Sequence, residues 1–319
     1  MSGNGLQWIE TGSESHVGLV RSVNQDRYAE FEDGRGNRLL VVADGMGGHR
    51  GGETASRLAV EAMGEVFERS EESLEQAIRS AVETANERIY ECAGADPELA
   101  GMGTTVVALA LGEGGEAWVA HVGDSRLYLL REGRLDALTA DHSLVAEMHR
   151  QGFITAEEAQ VHPRRNELTR SVGVAAGVEV EISGVAVRPG DRFLLCSDGL
   201  CGYVGDDEIR QVLESEPPLG AARILVDCAN AKGGHDNVTA QVVAIAEDAP
   251  LEAAPLEAPP LEGDGPGESG KSVPSKGRAP TDPPDPAPAT RGISRLALTG
   301  SVLAGLLAAA AALWVLLRG

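Results

Sequence analysis

The stretch Leu39-Leu40-Val41-Val42-Ala43-Asp44-Gly45-Met46-Gly47-Gly48 joins a fully apolar run to an aspartate and a glycine-rich turn. A short apolar run bounded by turn residues reads as a strand buried on both faces. Asp44 then emerges from the interior at a sheet edge. Three further segments repeat the pattern: Val122-Gly123-Asp124-Ser125-Arg126, Cys196-Ser197-Asp198-Gly199 and Gly234-His235-Asp236-Asn237. Each follows or precedes an apolar run, and strands of one sheet can deliver their ends to one edge. Carboxylates distant in sequence can meet there. Such a set, without cysteine or histidine ligand spacing, suits hard, oxygen-preferring cations such as Mg²⁺ or Mn²⁺. Taken singly, Asp44-Gly45 or Asp198-Gly199 is an ordinary turn. The core runs at 39–43 and 193–196 weaken that reading, because a carboxylate buried without a cation is costly. Gly45 also has no side chain to crowd its carbonyl, which leaves that oxygen open to an ion.

Outward from this strand, residues 17–20 form a short apolar stretch. Ala55, Leu58, Ala59, Ala62, Met63, Val66 and Phe67 recur at helical steps, as do Leu74, Ala77, Ile78, Ala81, Ala85 and Ile89. Each set places one apolar stripe on a charged helix. Strand-like runs follow at 104–111, 117–122 and 127–130, the first two joined by a hairpin turn at Gly112-Glu113-Gly114-Gly115. The spacing predicts helices over 143–152 and 155–160, strands over 191–196 and 237–245, and helices over 206–213 and 219–231. Two long helices, a block of strands and two later helices do not alternate as βαβ units. That order predicts antiparallel sheets with helices outside, an α+β layered sandwich.

The chain has 319 residues and a formal net charge of −22, which argues against nucleic acid as a partner because polyanion binding needs a basic footprint. Eleven of the 16 prolines fall between Pro250 and Pro288. A segment so poor in large apolar residues cannot offset its chain entropy, so 247–292 is expected to be a disordered linker. The folded domain is then residues 1–246, large enough for a substantial core. Residues 296–317 carry no charge; at 1.5 Å per residue they span roughly 33 Å as a helix, enough to cross a bilayer. With Arg291 and Arg295 before the segment and a polar N-terminus without a signal peptide, 293–318 reads as a transmembrane tail anchor. The expected location is the inner membrane, single-pass, with the N-terminal domain in the cytoplasm. Cys92, Cys196, Cys201 and Cys228 lack CxxC spacing and read as reduced, packed thiols.

Arg21 and Asp26 lie just ahead of the Asp44 strand. As a surface ion pair they would contribute little. Placed on a phosphate, the Arg21 fork can donate two hydrogen bonds to two oxygens. The ordered set Arg21…Asp26, Asp44-Gly45-Met46-Gly47-Gly48, Gly103-Thr104-Thr105, Gly123-Asp124-Ser125-Arg126, Ser197-Asp198-Gly199 and Asp236-Asn237 resembles the PP2C (PPM) family of metal-dependent serine/threonine phosphatases, closest to its bacterial branch. Each motif alone is weak; the whole order over residues 12–246 is specific.

The resemblance implies a four-layer α-β-β-α sandwich of two mainly antiparallel sheets with a two-metal centre (Mn²⁺ or Mg²⁺) at one end. It implies that Asp44 bridges both metals, that the Gly45 carbonyl binds one, and that Asp198 and Asp236 complete the other. Asp26 would hold water in the outer shell, Arg21 the substrate phosphate, and Asp124, with Asp198, a weaker third metal. Residues 143–173 resemble the bacterial flap beside the site. Two adjacent cations would acidify a water between them, allowing in-line attack at phosphorus without a phosphoenzyme. No cysteine heads a Cys-x5-Arg arrangement, which argues against a cysteine-nucleophile phosphatase.

Three positions depart from the family pattern. Met46 stands where animal members have a histidine proposed as general acid. His49, His142, His162 and His235 are alternatives by proximity in motif only. Gln25 replaces a common glutamate and His16 a common aspartate. Substrates implied are phosphoserine and phosphothreonine proteins, among them membrane serine/threonine kinases, acted on by a monomeric catalytic domain. A pseudophosphatase binding module and a small-molecule phosphohydrolase are the rival readings. The intact Asp44, Asp198 and Asp236 weigh against the first.

Overall fold

The opening apolar run forms the centre of strand β3 (Arg38–Met46), and residues 39–43 have no exposed surface. Leu39, Val41 and Ala43 face one apolar layer and Leu40 and Val42 another, so both faces of the strand are core. This explains a continuous apolar run in an antiparallel sheet, where one-sided burial would give alternation. The computed structural model describes residues 6–251. Of the linker expected at 247–292, the part from 252 onward lies outside them, as does the 296–317 segment; Ala249 and Leu251 pack against the core between the sheets, so the domain runs past 246. Among the described residues no helix is long and apolar enough to cross a membrane.

β3 lies within a sheet ordered β2 (Asp26–Glu32), β3, β5 (Val106–Leu111), β6 (Glu116–Val122) and β9 (Glu181–Ala186), with the short β4 (Gly103–Thr104) on the end of β3. The second sheet is ordered β1 (Ile9–His16), β11 (Val238–Ile245), β10 (Arg192–Cys196), β7 (Arg126–Arg131) and β8 (Arg134–Ala137). Every pairing is antiparallel.

Helices α1 (Gly48–Arg69) and α2 (Leu74–Ala95) pack Phe67, Ile78 and Ile89 onto the outer face of the first sheet. Leu40, Leu109, Leu127 and Phe193 fill the space between the sheets. Helices α6 (Asp206–Ser215) and α7 (Pro218–Ala231) cover the second sheet with Ile209, Leu213 and Leu225. The result is the expected α-β-β-α layering. The flap region holds α3 (Leu144–Arg150) and α4 (Ala156–Val161), the latter started by a reciprocal Thr155–Glu158 capping box.

The structure adds to the sequence reading. The first strand is β1, which the sequence did not signal, and the apolar 17–20 stretch after it is a loop with Leu19 and Val20 exposed. The 104–111 run is divided at Thr105 into β4 and β5. Asp198 opens a one-turn helix, α5 (Asp198–Cys201), in keeping with the argument against a plain turn there.

Candidate metal centre

Topology alone brings the carboxylates together. β10 runs antiparallel to β7 and β11, so its C-terminal end lies beside the N-terminal ends of both. Asp198 follows β10, Asp124 precedes β7 and Asp236 precedes β11, so all three sit at one end of the second sheet. From the first sheet, the end of β3 meets the start of β2, with Asp26 directly opposite Asp44 in register. The two sheets stack with these ends together and enclose a cavity of about 490 Å³. Asp44, Gly45, Asp124, Asp198, Asp236 and Arg21 line it. Asp26 lies beneath, 2% exposed.

The acids are held by neutral donors. The Asp44 amide donates to Thr105 Oγ1 at 3.1 Å, and its carbonyl accepts from Thr104 Oγ1 at 2.8 Å and the Thr105 amide at 2.8 Å. Thr105 Oγ1 in turn contacts Ser125 Oγ at 2.7 Å, tying the Asp44 strand end to the Asp124 turn. Asp26 Oδ2 accepts from Ser197 Oγ at 2.8 Å and Thr239 Oγ1 at 2.7 Å. Its Oδ1, and Oδ1 of Asp198, are buried without a hydrogen-bond partner. Orphaned buried carboxylate oxygens are costly and call for a cation or ordered water.

Electrostatics agree. Burial, then repulsion from Asp26, Asp198 and Asp124, pushes the Asp44 carboxyl well above the usual range. Asp124 is raised to about 8, chiefly by burial and then by Asp198 and Asp141. Burial outweighs the two hydroxyl donors at Asp26 and lifts it to about 6. Asp198 is raised by burial and by Asp236. Carboxyls this close and dry require either protons or cations. The all-oxygen donor set and the unpartnered Oδ1 atoms fit Mg²⁺ or Mn²⁺.

Arg21 stands at the rim, half exposed, with a 2.7 Å ion pair to Asp236 rather than to Asp26. Its loop is pinned from below by Asn237, whose Nδ2 donates to the carbonyls of Val17 at 2.9 Å and Val23 at 3.0 Å. Asn237 Oδ1 accepts from the Gln25 amide at 2.8 Å. The sequence singled out Asn237 as a motif member but gave it no role. Gln25 uses its amide to donate to the Gly48 carbonyl at 2.7 Å, a bond that a glutamate carboxylate could not make. His16 Nδ1 accepts from the Gly18 amide at 2.9 Å and so shapes the start of the same loop.

Gly45 meets a second requirement besides its open carbonyl. A Cβ there would fall 2.0 Å from the Gly52 carbonyl oxygen, so the glycine permits α1 to approach the strand end. Met46 lines the cavity, whereas His142, His162 and His235 do not. Asn166 and Leu168 bring the 143–173 segment over the cavity. All four cysteines are free thiols.

Comparison with known proteins agrees with this geometry. The family model for protein phosphatase 2C matches residues 15–237. A serine/threonine phosphatase stp of Listeria monocytogenes is 39% identical over 232 residues, covering 71% of this chain and 92% of the relative. The S. agalactiae serine/threonine phosphatase structure superposes with a TM-score of 0.70 at 37% identity, over 75% of this chain and 100% of its own. The catalytic domain of the serine/threonine protein phosphatase PstP, solved in complex with two manganese ions, gives a TM-score of 0.67 at 36% identity, over 75% and 98%. The match spans most of the chain and nearly all of each relative, and the carboxylates meet where the ordered motifs require. On these grounds the chain belongs to the protein phosphatase 2C family.

Proposed function

We propose that the chain hydrolyses phosphoserine and phosphothreonine in proteins at the carboxylate-lined cavity. The observation that carries this reading is the meeting of Asp44, Asp124, Asp198 and Asp236, from separate segments, around one cavity with Arg21 at its rim. Asp44, the Gly45 carbonyl, Asp198 and Asp236 would hold two divalent cations, and Asp124 with Asp198 a weaker third. When bound, the cations supply Lewis acidity and make hydroxide available near neutral pH.

The chain's own residues do the rest. Thr104 and Thr105 fix the Asp44 backbone so that its carboxylate needs no reorganisation. Asp26, anchored through Oδ2 by Ser197 and Thr239, presents Oδ1 as an acceptor that can orient a water. Arg21 is free to exchange Asp236 for a phosphoryl group, because half of its side chain is exposed. Arg21→Lys keeps the charge and loses the planar fork. KM for a phosphothreonine peptide is expected to rise about tenfold, with kcat falling less. Steady-state kinetics check this; an unchanged KM would remove Arg21 from the phosphate.

The same proposal extends to location. A single-pass anchor at 293–318 behind a linker would hold the domain on the cytoplasmic face of the inner membrane, near membrane-bound serine/threonine kinases. Support comes from composition: the uncharged 296–317 run and the proline-rich 247–292 segment. As a flexible coil, about 45 residues would reach roughly 35–40 Å and would confine the domain near its substrates. Deleting residues 293–319 is expected to move the protein from the membrane fraction to the soluble one with unchanged turnover of a peptide. Fractionation and assay check both; retention at the membrane would locate the anchor elsewhere.

A further inference from the structure

His121, His142 and Glu181 cluster beside the Asp124 turn, outside the cavity lining, with one donor atom of each within 4.8 Å of the others. The two rings stack, with centroids 4.4 Å apart and planes inclined by 31°. Both ring nitrogens of His142 are already engaged, Nδ1 by the Gly123 amide and Nε2 by Glu181, which leaves no lone pair for an ion. Arg170 Nη1 stands 3.4 Å from His142 Nε2 and would repel a cation. The hydrogen bonds of His142 point instead to a mechanical role.

The Gly123 amide donates to His142 Nδ1 at 3.2 Å, so the ring proton sits on Nε2, which donates to Glu181 Oε2 at 3.0 Å. The backbone of His142 is equally occupied. Its amide donates to the Gly123 carbonyl at 2.7 Å, and its carbonyl accepts from the Thr169 amide at 2.8 Å. One residue thus grips the Gly123 peptide groups ahead of Asp124 and the flap loop that carries Leu168 to the cavity. Glu181, at the start of β9, holds the ring from the neighbouring strand. His142 is buried while Glu181 is half exposed, so the pair links the interior to the rim of the site.

We infer that His142 and Glu181 are positioning residues that lock the 143–173 segment to the Asp124 turn and so set the fit of protein substrates, resting on the phosphatase reading of the cavity. A large substrate meets the flap, whereas a small aryl phosphate meets chiefly the metal centre and Arg21. Loosening the lock therefore separates the two substrates.

The test uses the full chain carrying Glu181→Ala, Glu181→Gln or His142→Asn. It measures kinetics on a phosphothreonine peptide and on p-nitrophenyl phosphate, and amide hydrogen exchange in the metal-free protein. For Glu181→Ala, peptide KM is expected to rise about tenfold, with p-nitrophenyl phosphate turnover within about twofold of wild type. The Leu144 and Thr169 amides should exchange about tenfold faster, as loss of one stabilising hydrogen bond implies. Glu181→Gln keeps an acceptor for Nε2–H and should behave as wild type. His142→Asn places Oδ1 near the Nδ1 position, keeps the Gly123 bond and should match Glu181→Ala. Unchanged exchange and KM in Glu181→Ala would overturn the inference. An equal loss on both substrates would also overturn it, since that marks a general structural role. An inert wild type would instead sink the phosphatase reading, and the metal-free exchange data would still decide the lock.

Discussion

Replacing Asp44 or Asp198 by Asn is expected to lower phosphatase turnover by about 10³-fold or more, the scale on which groups that act on transition-state charge are felt. Both side chains lie on the cavity wall, and burial together with the Asp198 charge raises the Asp44 carboxyl. An amide offers one oxygen and no charge, so it removes a cation ligand while keeping the shape. The fold should survive, because the Asp44 backbone is held by Thr104 and Thr105 and not by its carboxyl. The same exchange at Asp124 should cost far less, as it is expected to serve only the weaker third cation. Turnover of a phosphothreonine peptide at saturating Mn²⁺, beside a melting curve, separates the cases. An Asp44→Asn protein with near wild-type activity would contradict the cation-ligand role proposed for Asp44.

The second large effect concerns the metal-free protein and pH. Asp26 and Asp124 have pKa values raised to about 6 and about 8, above the ~3.9 of an unfolded chain. The native state therefore holds protons that the unfolded state releases. This stabilisation is fully present below about pH 4 and is lost as pH rises through 6 and then 8. At about 1.4 kcal/mol per pKa unit, with protons shared among neighbours, the loss between pH 5 and 8 is on the order of 3 kcal/mol. That corresponds to roughly 5–10 °C in Tm for a domain of this size. Calorimetry on chelated protein should show Tm falling across this window. Mn²⁺ at pH 8 should restore it, and Asp124→Asn should flatten the slope. A Tm that rises from pH 5 to 8 without metal would refute the crowded-carboxylate picture.

How much of this was legible in the sequence follows from burial. The strands read correctly, β3, β5, β6, β7, β10 and β11, are interior to the two sheets or end in a core run, and they appear as uninterrupted apolar text. The four that were missed, β1, β2, β8 and β9, are the four sheet edges. Edge strands carry polar and charged residues that blunt further pairing, as in Ile9–His16 and Asp26–Glu32, and so lose the apolar signal. The inner aspartates were legible because each breaks an apolar run. Ser197, Thr239, Ser125 and Asn237 were not assigned roles, because a hydroxyl or amide acquires one only when folding places it against a carboxylate or a loop. The ion pair of Arg21 with Asp236, 215 positions away, lay equally beyond local reading.

The most direct test of the central claim is phosphate release from a phosphothreonine peptide by the full chain, followed as Mn²⁺ is titrated into chelated protein. The expected result is no turnover without metal and saturable turnover as Mn²⁺ fills the Asp44–Asp198–Asp236 cluster, reversed by chelator. Turnover indifferent to chelator, or none at any Mn²⁺ or Mg²⁺ concentration, would contradict a metal-dependent phosphatase centre in this cavity.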